Sequence, residues 1–106
     1  MTNTEIDFDP DLDRLERLSN GVLDLLEAGR LDEAQLACEA LRAAFPDEMD
    51  WIERTAALHE ARGEIAQAIE HYARCMAYVR GDPEGFDPEC EEWYREKIAT
   101  LRARTG

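Results

Sequence analysis

The sequence predicts an all-α fold: antiparallel helical hairpins stacked on one another and closed by one further helix. Three observations carry that expectation. Apolar residues recur at steps of three and four in five separate segments, as on a helix with one buried stripe. Glycines and proline-containing breaks separate the segments. Two stretches, LLEAGRLDEA (25–34) and LHEARGEIAQA (58–68), write the same pattern: Glu-Ala shortly before a Gly, then one polar residue, an aliphatic and, three positions on, an Ala.

Residues 1–9 read as a loose acidic arm with Ile6 and Phe8 as its apolar anchors. Asp9-Pro10 then has the chemistry of a helix start, an N-cap acceptor followed by proline at the first helical position. The first stripe is Leu12, Leu15, Leu18, Val22 and Leu25, and Gly29 offers a left-handed stop. The second is Leu31, Ala34, Cys38, Leu41 and Phe45, ended by Pro46. A third helix, starting near Asp47 or Asp50, carries Ile52, Thr55, Ala56 and His59 on one face and stops at Gly63. The fourth carries Ile65, Ala68, Tyr72, Cys75 and Val79. RGDPEGFDP (80–88) breaks the pattern. Asp87-Pro88 starts a fifth helix, with Cys90, Trp93 or Tyr94, Ile98 or Lys97, and Leu101 facing inward. Its acidic start and basic end suit the helix dipole. One domain results: arm 1–9, first hairpin 10–46, second hairpin 47–80, loop 81–87, closing helix 88–105. Links this short require antiparallel neighbours.

Gly29 and Gly63, Leu31 and Ile65, and Ala34 and Ala68 are each 34 positions apart. A helical hairpin of that period resembles the tetratricopeptide repeat, whose pattern is W-x2-L-G-x2-Y, then A-x3-F, then P. Ala34-x3-Cys38 and Ala68-x3-Tyr72 match the second block, and Pro46 the closing proline. At the alanines two helices cross too closely for a larger side chain. The first block departs: it reads Leu18-x2-Gly21-Val22-x2-Leu25, then Ile52-x2-Thr55-Ala56-x2-His59. The resemblance spans residues 15–80 and implies a short right-handed α-solenoid whose first helices line a concave face. Carried over by alignment, that face holds Glu16, Ser19, Leu23 and Leu26, then Asp50, Glu53, Ala57 and Glu60. The family's groove for a terminal carboxylate needs Lys, Arg and Asn there, so that use is disfavoured. Two hairpins are fewer than the roughly three repeats such stacks need. The fifth helix is therefore expected to cap the second hairpin, with Trp93 and Tyr94 supplying much of the burial.

The chain carries 25 Asp and Glu against 12 Lys and Arg, a net charge of −13. That charge opposes nucleic acid and anionic membranes and favours a basic or amphipathic protein partner. No signal peptide and no membrane-length apolar run is read, so the cytoplasm is expected. Eleven of the twelve basic residues are Arg, which fits a GC-rich bacterial source. Cys38, Cys75 and Cys90 form no disulfide framework, and the first two hold repeat-core positions as small apolar residues. His59 lies on the apolar stripe and His71 off it. The carboxylates lie along solvated helix faces. No cofactor, no metal site and no catalytic constellation is expected. The sequence thus points to a non-enzymatic adaptor or small chaperone-like module that binds a peptide or helix in an acidic, partly apolar groove. The alternative is a structural subunit that self-associates, or docks into a larger assembly, through its exposed repeat ends.

Overall fold

The computed structural model describes residues 10–105, and the acidic arm with its Asp9 cap lies outside the described residues. Five helices follow in order: α1 (Pro10–Glu27), α2 (Leu31–Ala44), α3 (Asp50–Ala61), α4 (Ile65–Arg80) and α5 (Pro88–Thr105). No strand occurs among the described residues, so the fold is all-α. α1 packs on α2 and α3 on α4 as hairpins, α1 and α2 both lie against α3, and α5 lies along α4.

The two hairpin turns share one hydrogen-bond pattern. Gly29 has φ +75° and Gly63 φ +78°. The Gly29 amide donates to the Leu26 carbonyl and the Arg30 amide to Leu25; Gly63 donates to Glu60 and Glu64 to His59 in the same way. This is the Schellman end, in which a left-handed residue lets two amides satisfy carbonyls the helix would leave unpaired. A side chain at either glycine would meet no atom within 4 Å, so backbone conformation alone selects glycine there.

The 34-residue echo is also an echo of burial. Ala34 and Ala68 are fully buried, and Cys38 and Tyr72, then Leu41 and Cys75, fill equivalent places beside them. Leu15, Val22, Val79, Tyr94, Ile98 and Leu101 complete this part of the core.

Several single-stripe expectations give way in α1, α3 and α5. Leu12 is not a core residue: it is 54% exposed, one turn before Leu15. The buried arc of α1 instead takes in Ser19, because α1 meets α3 as well as α2. α3 is enclosed by α1, α2 and α4, and its buried residues include Trp51 and Leu58 beside Ile52 and Ala56, while Thr55 and His59 are only half-buried. In α5 it is Tyr94 that is buried; Trp93 is 49% exposed, so it supplies only part of the closing burial assigned to it.

Two glycine substitutions should move stability in opposite directions. Gly63→Ala should destabilise by about 1–2 kcal/mol, the cost of a left-handed backbone with a Cβ. Gly21→Ala, inside α1 with open space around it, should stabilise by about 0.5–1 kcal/mol. Urea midpoints read both. Enlarging the buried Ala68 to Phe should cost about 1–3 kcal/mol through overpacking, and an unchanged midpoint would contradict the close helix crossing.

Candidate functional site

Successive residues of a helix turn by about 100°, so α3 presents two opposed faces. Asp50, Glu53, Ala57 and Glu60 share one; Trp51, Thr55, Leu58, His59 and Arg62 share the other. The first is the face aligned as concave.

On that face Glu53 and Glu60 are already engaged. Glu53 Oε1 accepts from Arg54 Nη1 at 2.6 Å, and its Oε2 accepts from the Tyr94 hydroxyl of α5 at 2.5 Å. Arg54 Nε also donates to the Ser19 carbonyl of α1 at 3.2 Å. A polar line therefore runs from α1 through Arg54 and Glu53 to α5. Two turns on, Glu60 accepts from the Tyr72 hydroxyl of α4 at 3.0 Å and lies 3.4 Å from Lys97 Nζ and 3.7 Å from Arg104 Nη1. Burial, then the neighbouring carboxylates, hold the Tyr72 and Tyr94 phenols well above the usual range. Burial, with the Glu53 charge next in weight, pushes the Cys75 thiol up to about 12. The Cys38 thiol is raised by burial as well.

The aligned site residues thus fall into different environments. Ser19 is 2% exposed, and its hydroxyl has no partner among the described residues. It is a packing residue under α3 and offers nothing to a ligand, which corrects its assignment to an open face. Glu16 is exposed, and Leu23, Leu26, Asp50 and Ala57 are half-buried. Glu16 and Asp50 have no ion pair among the described residues.

Beside Glu53 the surface opens into a groove of about 280 Å³ between α3 and α5, walled by Glu53, Glu89, Cys90, Trp93 and Tyr94. Trp93 stands edge-on to Tyr94, with ring centroids 5.2 Å apart, and Lys97 Nζ lies 5.4 Å from its ring. Sequence reasoning missed Trp93 and Cys90 as groove residues because apolar residues on a stripe were assigned inward. The signal available was the adjacent pair Trp93-Tyr94: on a helix packed against a single neighbour, as α5 is on α4, two adjacent residues cannot both face it.

Among the described residues no three His, Cys, Asp or Glu side chains gather as a metal would require, and no helix is long and apolar enough to cross a membrane. No protein-family model, no curated protein and no solved structure matches the chain.

The raised thiol and phenol values fix the sign of an alkaline response. In an unfolded chain the Cys75 thiol would ionise near 9.0, whereas in the folded chain it holds its proton to about 12. Its contribution to stability is complete below about 9 and is lost as pH rises toward about 12, with Cys38, Tyr72 and Tyr94 acting in the same direction. Unfolding midpoints should fall across that window, and less steeply for Cys75→Ala. Equal slopes for the two chains would remove Cys75 as a source.

Proposed function

We propose that this chain is a non-enzymatic protein-interaction module of the tetratricopeptide-repeat kind, which takes a basic-amphipathic segment of a partner protein on the acidic face shared by α1, α3 and α5. One observation carries the reading: a tryptophan left half exposed at the mouth of a groove. Tryptophan and tyrosine dominate binding energy where they are presented in a partly desolvated pocket. Trp93 is so presented by the buried Tyr94 beside it and the Tyr72 ring 6.0 Å away.

The repeat assignment draws support from the duplicated Schellman turns and the matched buried residues at a period of 34. The charge supports the class of partner. Glu16, Asp50 and Glu89 leave carboxylates unpaired among the described residues, within a chain of net charge −13. Carboxylates sharing a face repel one another weakly, by tenths of a kcal/mol per exposed pair. Lysine or arginine from a partner relieves that repulsion while Trp93, Leu23, Leu26 and Ala57 supply apolar contact. Glu53 and Glu60 act differently in this reading, as the posts that hold α5 and so shape the groove.

Self-association is a second reading. The observation favouring it is Leu36, 66% exposed on the outer side of α2 with no helix over it. Light scattering separates the two, because a self-associating chain gains mass with concentration and loses that gain on Leu36→Ser.

Capture from a native extract, followed by calorimetry on the captured protein, tests the first reading. Trp93→Ala should weaken binding by about 2 kcal/mol or more, as at an interface hot spot. Glu89→Lys should mainly slow association and reduce its dependence on salt. The bound partner should also shield Cys90, at the groove wall, from alkylation. Affinity unchanged by both substitutions would place the binding surface elsewhere.

A further inference from the structure

The opposite face of α3 floors a second groove, larger than the first and unlike it in charge. It encloses about 420 Å³ between α2 and α4, within the usual range of ligand sites. Trp51 forms its floor, only 7% exposed, with its indole N–H fixed on the Pro46 carbonyl at 3.0 Å. Two guanidiniums approach that one ring. The Arg42 Cζ lies 4.6 Å from the ring centroid and the Arg74 Cζ 5.3 Å, one reaching from α2 and the other from α4. Both distances are within the range of cation–π attraction.

Neither guanidinium has a carboxylate within ion-pair distance among the described residues. In a chain with 25 acidic and 12 basic residues, chance pairing would favour the reverse. The other charges of the groove are accounted for. Arg62 donates to the Leu31 carbonyl at 3.3 Å and to Asp32 at 2.9 Å. His59 Nδ1 meets Glu64 at 2.8 Å, and Glu39 accepts from Gln35 at 3.3 Å. His71 lies with its ring centroid 5.1 Å from that of His59, and its Nδ1 bonds the Gln67 carbonyl at 3.0 Å. A carbonyl only accepts, so Nδ1 carries the proton and His71 Nε2 remains outside that bond. Arg42 and Arg74 are thus two like charges that line one groove with Trp51, each near its ring and neither with a carboxylate partner among the described residues.

We propose that the α2–α4 groove is an anion site that takes a carboxylate, carried on a short acidic peptide segment, between Arg42 and Arg74 above Trp51. Guanidiniums match a carboxylate's two oxygens with paired N–H donors, and attraction to the indole keeps both near the groove before the ligand arrives. A carboxylate fits better than a phosphate dianion because Glu39 and Glu64 stand in the same groove and would repel the second charge. The chain's net charge of −13 likewise repels a polyanion at long range, which limits the ligand to a few acidic groups. The site is independent of the acidic groove. It lies on the opposite face of α3 and shares none of that groove's lining residues.

Nuclear magnetic resonance of the full chain tests this at constant ionic strength, reading the Arg42 and Arg74 Nε–H signals and the Trp51 indole N–H. The probes are a capped tetrapeptide Ala-Glu-Glu-Ala, its Ala-Gln-Gln-Ala counterpart, and inorganic phosphate. The glutamate peptide should shift all three signals saturably and the glutamine peptide should not. Arg42→Gln with Arg74→Gln should abolish the shift at Trp51. Arg42→Lys with Arg74→Lys keeps the charge without the planar fork and should weaken binding by about tenfold. Equal responses to the glutamate and glutamine peptides, or full affinity in the Gln double variant, would overturn the site. Tighter binding of inorganic phosphate than of the glutamate peptide would overturn the carboxylate assignment. Trp93→Ala should leave every one of these shifts in place, so failure of this site and failure of the acidic groove read out separately.

Discussion

The Glu53 carboxylate is the point on which the arrangement of the first, third and fifth helices depends. It accepts from Arg54 on one oxygen and from the Tyr94 hydroxyl on the other, and Arg54 passes the connection on to the Ser19 carbonyl of α1. The Glu53 and Arg54 side chains are only 27% and 16% exposed, so these bonds form in a medium less polar than water. A half-buried charge of this kind is costly to leave unmatched, and a hydrogen bond to it stabilises by about 1.5–3 kcal/mol. The consequence reaches the surface. Because adjacent helical residues point about 100° apart, turning Tyr94 in to Glu53 turns Trp93 out, to where it is half exposed over the groove. The exposed tryptophan of the groove is thus the reverse side of a core hydrogen bond.

The repeat explains why two residues aligned to an open face are covered. Ser19 and Glu53 are 34 positions apart, at equivalent places on the first helix of each hairpin. Each is met by an element that follows in the chain. α3 closes over Ser19, with Arg54 on its carbonyl, and Tyr94 of α5 reaches over to Glu53. The next equivalent pair, Leu23 and Ala57, stays half-buried.

How much was legible follows from how wide an arc of each helix its neighbours enclose. α2 and α4 present one apolar stripe each, and the steps of three and four picked out their buried residues: Ala34, Cys38 and Leu41, then Ala68, Tyr72, Cys75 and Val79. Gly29 and Gly63 were legible because a left-handed helix end leaves glycine as the residue without strain. α3 was read poorly, since a helix enclosed on three sides buries an arc wider than a stripe, and Trp51 and Leu58 lie in the added part. The acidic character of one face of α3 was legible from Asp50, Glu53 and Glu60. The pairing of Glu53 with Tyr94, and of Glu60 with Tyr72 and Lys97, was not, because those contacts span helices whose spacing in sequence carries no periodic sign.

The same limit hides the second groove. Arg42, Trp51 and Arg74 sit in three different helices, and none of the three lies on the stripes that periodicity reveals. Net charge points away from it, since a total of −13 describes the average surface and an anion responds to the few groups within a Debye length, about 8 Å at physiological ionic strength. Within that radius of Trp51 the chain places two guanidiniums and leaves them without carboxylate partners among the described residues. Charge thereby differs across α3: its own Glu53 and Glu60 lie on one face, and the guanidiniums of α2 and α4 lie over Trp51 on the other. Holding like charges together lowers stability unless a counter-charge relieves it; on the acidic face Arg54, Lys97 and Arg104 do so for Glu53 and Glu60, and over Trp51 the indole ring is the partner the two guanidiniums have.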